Sequence, residues 1–230
     1  MKKGNKIIVI VVLLLVVLFG VGQFFASANP ITAPQNQTTS TATQTPPALL
    51  ATQVIQYTPS QPASGMPTEK GSCWTNSIAA PFRTDAWRCS VGNGISDPCF
   101  QIPNSTGTLL CDVNPTVADS SSTFVLKLTQ PLPASQVPPG LAPANWAWLV
   151  ELQNGTLCTP FTGTLPITAT GIAANYGCAP GPLGSSTLIF GDLNTSTSAW
   201  TASVGTLNET SSNLPTIASS STIPVTAIWE

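Results

Sequence analysis

This sequence predicts an all-β fold, a small disulfide-stapled β-sandwich or partly closed barrel, on three observations. Apolar and polar residues alternate in short runs, and no stretch after residue 25 sustains a 3.6-residue period. Glycine and proline, 17 and 22 of 230 residues, punctuate the chain too often for long helices. Six cysteines are present, four of them in the stretch least able to bury an apolar core.

The chain opens with a leader over residues 1–28. Lys2, Lys3 and Lys6 precede an apolar run from Ile7 to Gly22 that continues to Phe25 across Gln23. At about 1.5 Å per residue the run spans roughly 24 to 28 Å as a helix, just short of the ~30 Å hydrocarbon core. Three readings stand. A signal anchor keeps the lysines in the cytoplasm; a cleaved signal peptide ends at Ala26-Ser27-Ala28, a small-x-small cleavage pattern; a pilin-type leader is cut after Gly4. The run exceeds the usual signal-peptide core in length, which favours the anchor. All three place residues 30–230 outside the cytoplasm, as a secreted or cell-surface protein, with the membrane as partner through residues 7–25 where the leader is retained.

Residues 29–70 read as a linker of Pro, Thr, Ser, Gln and Ala with one apolar cluster at Val54, Ile55 and Tyr57. Low hydrophobicity and scattered prolines predict that such a segment stays extended or disordered. Five Asn-x-Ser/Thr triplets occur, at Asn36, Asn104, Asn154, Asn194 and Asn208. In a chain this rich in Asn, Ser and Thr several arise by chance, so the pattern alone assigns them nothing.

Residues 71–230 form the expected extracytoplasmic all-β domain. Its first forty residues are small, polar and interrupted by turns, and ordering them costs about 1 to 2 kcal/mol per residue. Disulfides closing loops of this size return about 3 kcal/mol each in an oxidising compartment. Sequence proximity suggests Cys73–Cys89, Cys99–Cys111 and Cys158–Cys178 among fifteen pairings. In Phe124–Leu128, residues 124, 126 and 128 face a core and Lys127 faces water. Trp146, Trp148, Val150 and Leu152 then share one face of a strand, and Asn154-Gly155 predicts a type I′ hairpin turn returning along Thr156–Thr159. Further strands are expected at Leu165–Ala169, Thr187–Phe190, Ala199–Val204 and Ile223–Trp229. In the last two, Trp200, Ala202 and Val204, and Ile223, Val225, Ala227 and Trp229, form single faces.

The pieces Cys73-Trp74-Thr75, Asp85-Ala86-Trp87-Arg88-Cys89 and Asp97-Pro98-Cys99-Phe100 resemble a domain of secreted or membrane-tethered bacterial proteins of uncharacterised role. The resemblance extends through Gly171 to Cys178 and the terminal strand ending at Trp229. It implies an extracytoplasmic location and disulfides, and supplies neither an activity nor catalytic residues.

Composition excludes several functions. Beyond the leader four basic residues, Lys70, Arg83, Arg88 and Lys127, face nine acids, a balance of −5. A clustered basic face for nucleic acid is absent. There is no histidine, so neither a Ser-His nor a Cys-His relay can form. No Cys-x-x-Cys pair offers a compact zinc grip, and neither Asp112-Val113-Asn114 nor Asp192-Leu193-Asn194 continues as a calcium loop does. No metal site, cofactor or catalytic residue is expected. Of the acids Asp85, Asp97, Asp112, Glu151 and Asp192, Asp85 is expected to pair with Arg83 or Arg88, and Asp97-Pro98 to start a turn. The expectation is a non-catalytic binding, sensing or envelope structural module, with cell-envelope glycan or protein as its partner. Trp74 and Trp87 adjoin or lie near cysteines and read as packing on disulfides; if any tryptophan contacts a ligand, it is Trp87 with Arg88. The alternative is a secreted glycosidase-like hydrolase working with two carboxylates.

Overall fold

The computed structural model describes residues 49–117, 122–137, 146–179, 187–208 and 215–230. The run 7–25 and the linker up to residue 48 lie outside them. Among the described residues there are twelve strands and no helix, so none is long and apolar enough to cross a membrane. The strands are β1 (Gln53–Ile55), β2 (Thr68–Asn76), β3 (Ala86–Val91), β4 (Gly94–Gln101), β5 (Thr108–Cys111), β6 (Phe124–Leu128), β7 (Leu149–Leu152), β8 (Leu157–Pro160), β9 (Ala174–Ala179), β10 (Thr187–Asn194), β11 (Thr201–Asn208) and β12 (Thr216–Trp229).

They close into two barrels within one compact unit, Pro47–Glu230. The first runs β2-β3-β4-β5-β6 and is shut by a parallel pairing of β2 with β6. The second runs β7 to β12, each strand antiparallel to the next, and is shut by β12 on β7. Closure leaves few free strand edges, a benefit to a chain with so little surface charge. Part of the expected linker belongs here: β1 lies parallel to the end of β12, and Thr68 to Lys70 pair with β6. The reason is that Ile55, Tyr57 and Met66 find apolar surface to cover, while β12 and β6 take up the backbone hydrogen bonds.

The first barrel is filled with sulfur. Cys73, Cys89, Cys99 and Cys111 pack inside it with Trp87, Leu109 and Leu126, and Cys89, Cys99 and Cys111 have no exposed surface. The disulfides are Cys73–Cys89, Cys99–Cys111 and Cys158–Cys178. Each joins residues directly opposite one another on adjacent antiparallel strands, so a pleat that already pairs is fastened rather than a loop pulled in. Phe124, Leu126 and Leu128 face this core and Lys127 faces solvent. Val125 is also buried, under Met66 and beside Ile102 and Leu110, because the 49–67 segment covers the outside of the barrel.

The second barrel encloses Val150, Leu152, Cys158, Tyr176, Ile189, Ala202, Val204, Val225 and Ile228. Its β7–β8 hairpin forms at Asn154-Gly155 with a different turn. Only Gly155 has positive φ, 78°, and its N–H bonds the Leu152 carbonyl at 2.8 Å. Gln153 and Asn154 therefore take the central positions and Gly155 the left-handed residue after them, a three-residue loop in place of type I′. The stretch Leu165–Ala169 is no strand; it makes one bridge, Ile167 to Ala173, and leaves Leu165 and Ile167 exposed. The end of β12 departs from a single face as well. A register shift between Val225 and Ala227 reverses the alternation, so Ile223, Val225 and Ile228 face the barrel interior while Ala227 and Trp229 face outward.

Asp97-Pro98 is no turn either. Across β3–β4, Trp87 pairs with Cys99 and Cys89 with Ser96, so Asp97 and Pro98 together oppose Arg88. A bulge of this kind is where a strand tolerates proline, and it re-aims the neighbouring side chain. The peptide bond between them is cis.

Candidate functional site

The two barrels meet at a cluster built from both. Ala86 of β3 and Phe100 of β4 pack with Ala80, Trp148, Leu149, Ala227 and Trp229, and Ile55 and Tyr57 lie against them. Three rings make its centre: Tyr57, Phe100 and Trp148, with centroids 4.9 to 5.3 Å apart and tilted or edge-on to each other, the arrangement that aromatic quadrupoles favour.

Arg83, in the β2–β3 connection, crosses this seam. Its Nε and one terminal nitrogen donate to the two oxygens of Asp85 at 2.9 and 2.7 Å, and the other terminal nitrogen donates to the Tyr57 and Glu230 carbonyls, each at 2.7 Å. The guanidinium carbon stands 4.9 Å from the Phe100 ring centre and 5.9 Å from that of Tyr57. One cation thereby ties the first barrel to the 55–57 segment and to the end of β12. Burial raises the Tyr57 phenol pKa above 10, with Arg83 opposing and Asp85 adding to the shift.

Beside Arg83 the seam opens into a pocket of about 150 Å³, lined by Gln56, Ala80, Phe82, Arg83, Trp146, Trp148 and Glu230. An engineered cavity of about this volume takes a benzene ring, so the space suits one six-membered ring. Its walls are aromatic: Trp146 meets Phe82 edge-on at 6.3 Å, held by an indole N–H donated to the Ala79 carbonyl at 2.8 Å. Its polar side is the Gln56 amide, 2.6 Å from the Glu230 carboxylate, together with the guanidinium. No family model, curated protein or solved structure matches the chain. What the site can do is therefore argued from its own geometry.

Trp87 and Arg88 are adjacent in sequence but not in role, and neither lines the pocket. Trp87 is 3% exposed inside the first barrel, packed among the disulfides, so it presents no face to a ligand. Arg88 turns to the other side. It donates to Asp97 at 3.0 Å and to the Thr162 carbonyl at 2.7 Å, and sits 5.8 Å from the ring of the half-exposed Trp74. Asp97, with a side chain 1% exposed, also accepts from the Ser77 hydroxyl and from the backbone N–H groups of Ile78 and Ala79. The pair is thus a buried clamp between the first barrel and the β8–β9 connection.

The remaining acids are spread out. Asp85 pairs with Arg83, and Asp192 accepts from Asn175 at 3.2 Å. No group of three metal-ligating side chains gathers among the described residues. Sequence reasoning passed over Phe82 and Gln56 and counted Trp146 as core. The signal for Phe82 was an aromatic beside Arg83 in a turn-rich connection. The single face expected for Trp146, Trp148, Val150 and Leu152 does not form: β7 begins only at Leu149, so Trp146 and Trp148 lie at the seam while Val150 and Leu152 face the barrel interior.

Proposed function

We propose that this chain is an extracytoplasmic, non-catalytic binding module, secreted or tethered through residues 7–25, that holds one sugar ring of a cell-envelope glycan in the seam pocket. The observation that carries the reading is the composition of the pocket: aromatic walls from Phe82, Trp146 and Trp148 beside a carboxylate, an amide and a guanidinium. Apolar ring faces stack on such walls while hydroxyls bond the polar side, the division of labour general to small-ligand sites. The three disulfides, with no free cysteine, support an oxidising compartment. Among the described residues that line the pocket Glu230 is the one that carries a side-chain carboxylate, whereas glycoside hydrolysis uses two facing carboxyls; this favours binding over the hydrolase alternative.

The test is titration of the purified full chain with monosaccharides and cell-wall oligosaccharides, followed by tryptophan fluorescence and calorimetry. Trp146→Ala is expected to weaken binding at least tenfold, equivalent to roughly 1.4 kcal/mol, with near-ultraviolet circular dichroism reporting an intact fold. Binding that survives Trp146→Ala and Glu230→Gln unchanged would remove the pocket from the account.

A further inference from the structure

Three of the five Asn-x-Ser/Thr triplets, at Asn104, Asn154 and Asn194, fall wholly on described residues, and their asparagines are all exposed, as is Asn208. Other asparagines are used internally: Asn76 is buried and accepts from Ser135 and the Gln136 N–H, and Asn175 donates its amide to Asp192. At Asn154 and Asn194 the geometry goes further. Each side-chain oxygen accepts the backbone N–H of the residue two positions on, Thr156 or Ser196, at 3.1 Å. The backbone thereby turns back at each asparagine, and each Nδ2 is left without a hydrogen bond among the described residues. We propose that Asn154, at the tip of the β7–β8 hairpin, and Asn194, at the end of β10, are N-glycosylated.

The inference rests on the exported location of the proposed function. The donor would be an oligosaccharide carried on a lipid pyrophosphate outside the cytoplasm. Nδ2 attacks the anomeric carbon, the N–C bond forms, and the C–O bond to the pyrophosphate breaks with its electron pair leaving on the lipid pyrophosphate. The amide nitrogen gives up one proton, and nothing is oxidised or reduced. The benefit is hydration. Only 7% of residues are charged, and a glycan at each site would supply the solvated surface that side-chain charge does not.

The chain contains its own control. Asn114-Pro115-Thr116 has the same turn, with the Asn114 oxygen accepting the Thr116 N–H at 3.1 Å, but proline at the middle position disqualifies the triplet. Peptide mapping by mass spectrometry of the protein from the cells that make it is the test. Glycan increments are expected on the Asn154 and Asn194 peptides and none on the Asn114 peptide. Asn154→Gln and Thr156→Ala should each abolish the first increment, and Asn194→Gln and Ser196→Ala the second. Unmodified peptides with the disulfides intact would overturn glycosylation and leave export standing, whereas unmodified peptides with free thiols would overturn both. Increments that persist in Asn154→Gln and Asn194→Gln would place the sugar on hydroxyls and overturn the proposal.

Discussion

Tyr176 shows how a single buried side chain sets a limit on the conditions this fold tolerates. Burial in the second barrel pushes its phenol up to about 12, with hydrogen bonding to the Ala147 backbone opposing the shift and Asp192 adding to it. The unfolded chain loses this proton near 10. Stability from the neutral phenol is therefore complete below pH 10 and is lost as pH rises toward 12, a loss of roughly 2 to 3 kcal/mol. Melting temperature should fall steeply across that window, and Tyr176→Phe should flatten the fall. Tyr57 is raised by burial too, so some slope remains. A Tyr176→Phe protein that loses stability with pH as steeply as the parent would contradict the assignment.

Among the elements, β11 and β12 are packed so closely that one position admits no side chain. A Cβ on Gly205 would meet the Ser219 carbonyl oxygen and come within 3.2 Å of the Phe190 ring. Gly205→Ala is expected to cost about 1 to 3 kcal/mol, read as a lower denaturant midpoint. Gly163→Ala, where a Cβ meets nothing within 4 Å, should leave the midpoint nearly unchanged; equal losses would mean that the close approach is not what matters. Elements with a purely local signal were legible in the sequence. Phe124–Leu128 matches β6 because alternation alone decides it, and Asn154-Gly155 marks the hairpin even though the turn type differs. Elements fixed by distant partners were not legible. β1 is a strand only because the end of β12 lies beside it, and Pro98 sits within β4 only because a bulge opposite Arg88 accommodates it. The phase of β12 reverses at a register shift with β7, which no local pattern contains.

At the scale of the whole molecule, all-β architecture and disulfide stapling could be read in advance, but the division into two barrels could not. The candidate site suffered most from this. Trp87 packs on the disulfides, as its place beside the cysteines suggested, but as ligand contacts Trp87 and Arg88 do not act together, because successive strand residues point to opposite faces, one into the sulfur core and one toward the second barrel. The pocket instead joins Gln56, Phe82, Trp146 and Glu230, which only the seam brings together. The chain's two arginines, Arg83 and Arg88, each reach from the first barrel to a carbonyl of the second, at Glu230 and Thr162. With so few charges, this protein places its guanidinium groups where one cation satisfies several acceptors at once.

Cystine, rather than aliphatic bulk, fills the first barrel, and disulfides persist in oxidising compartments. The most direct test is non-reducing peptide mapping, with thiol titration in denaturant, of the protein taken from its own cells. The account predicts no free thiol and three bonds, Cys73–Cys89, Cys99–Cys111 and Cys158–Cys178. Free thiols at Cys89, Cys99 or Cys111 in the folded protein, or a different pairing among the first four cysteines, would contradict it.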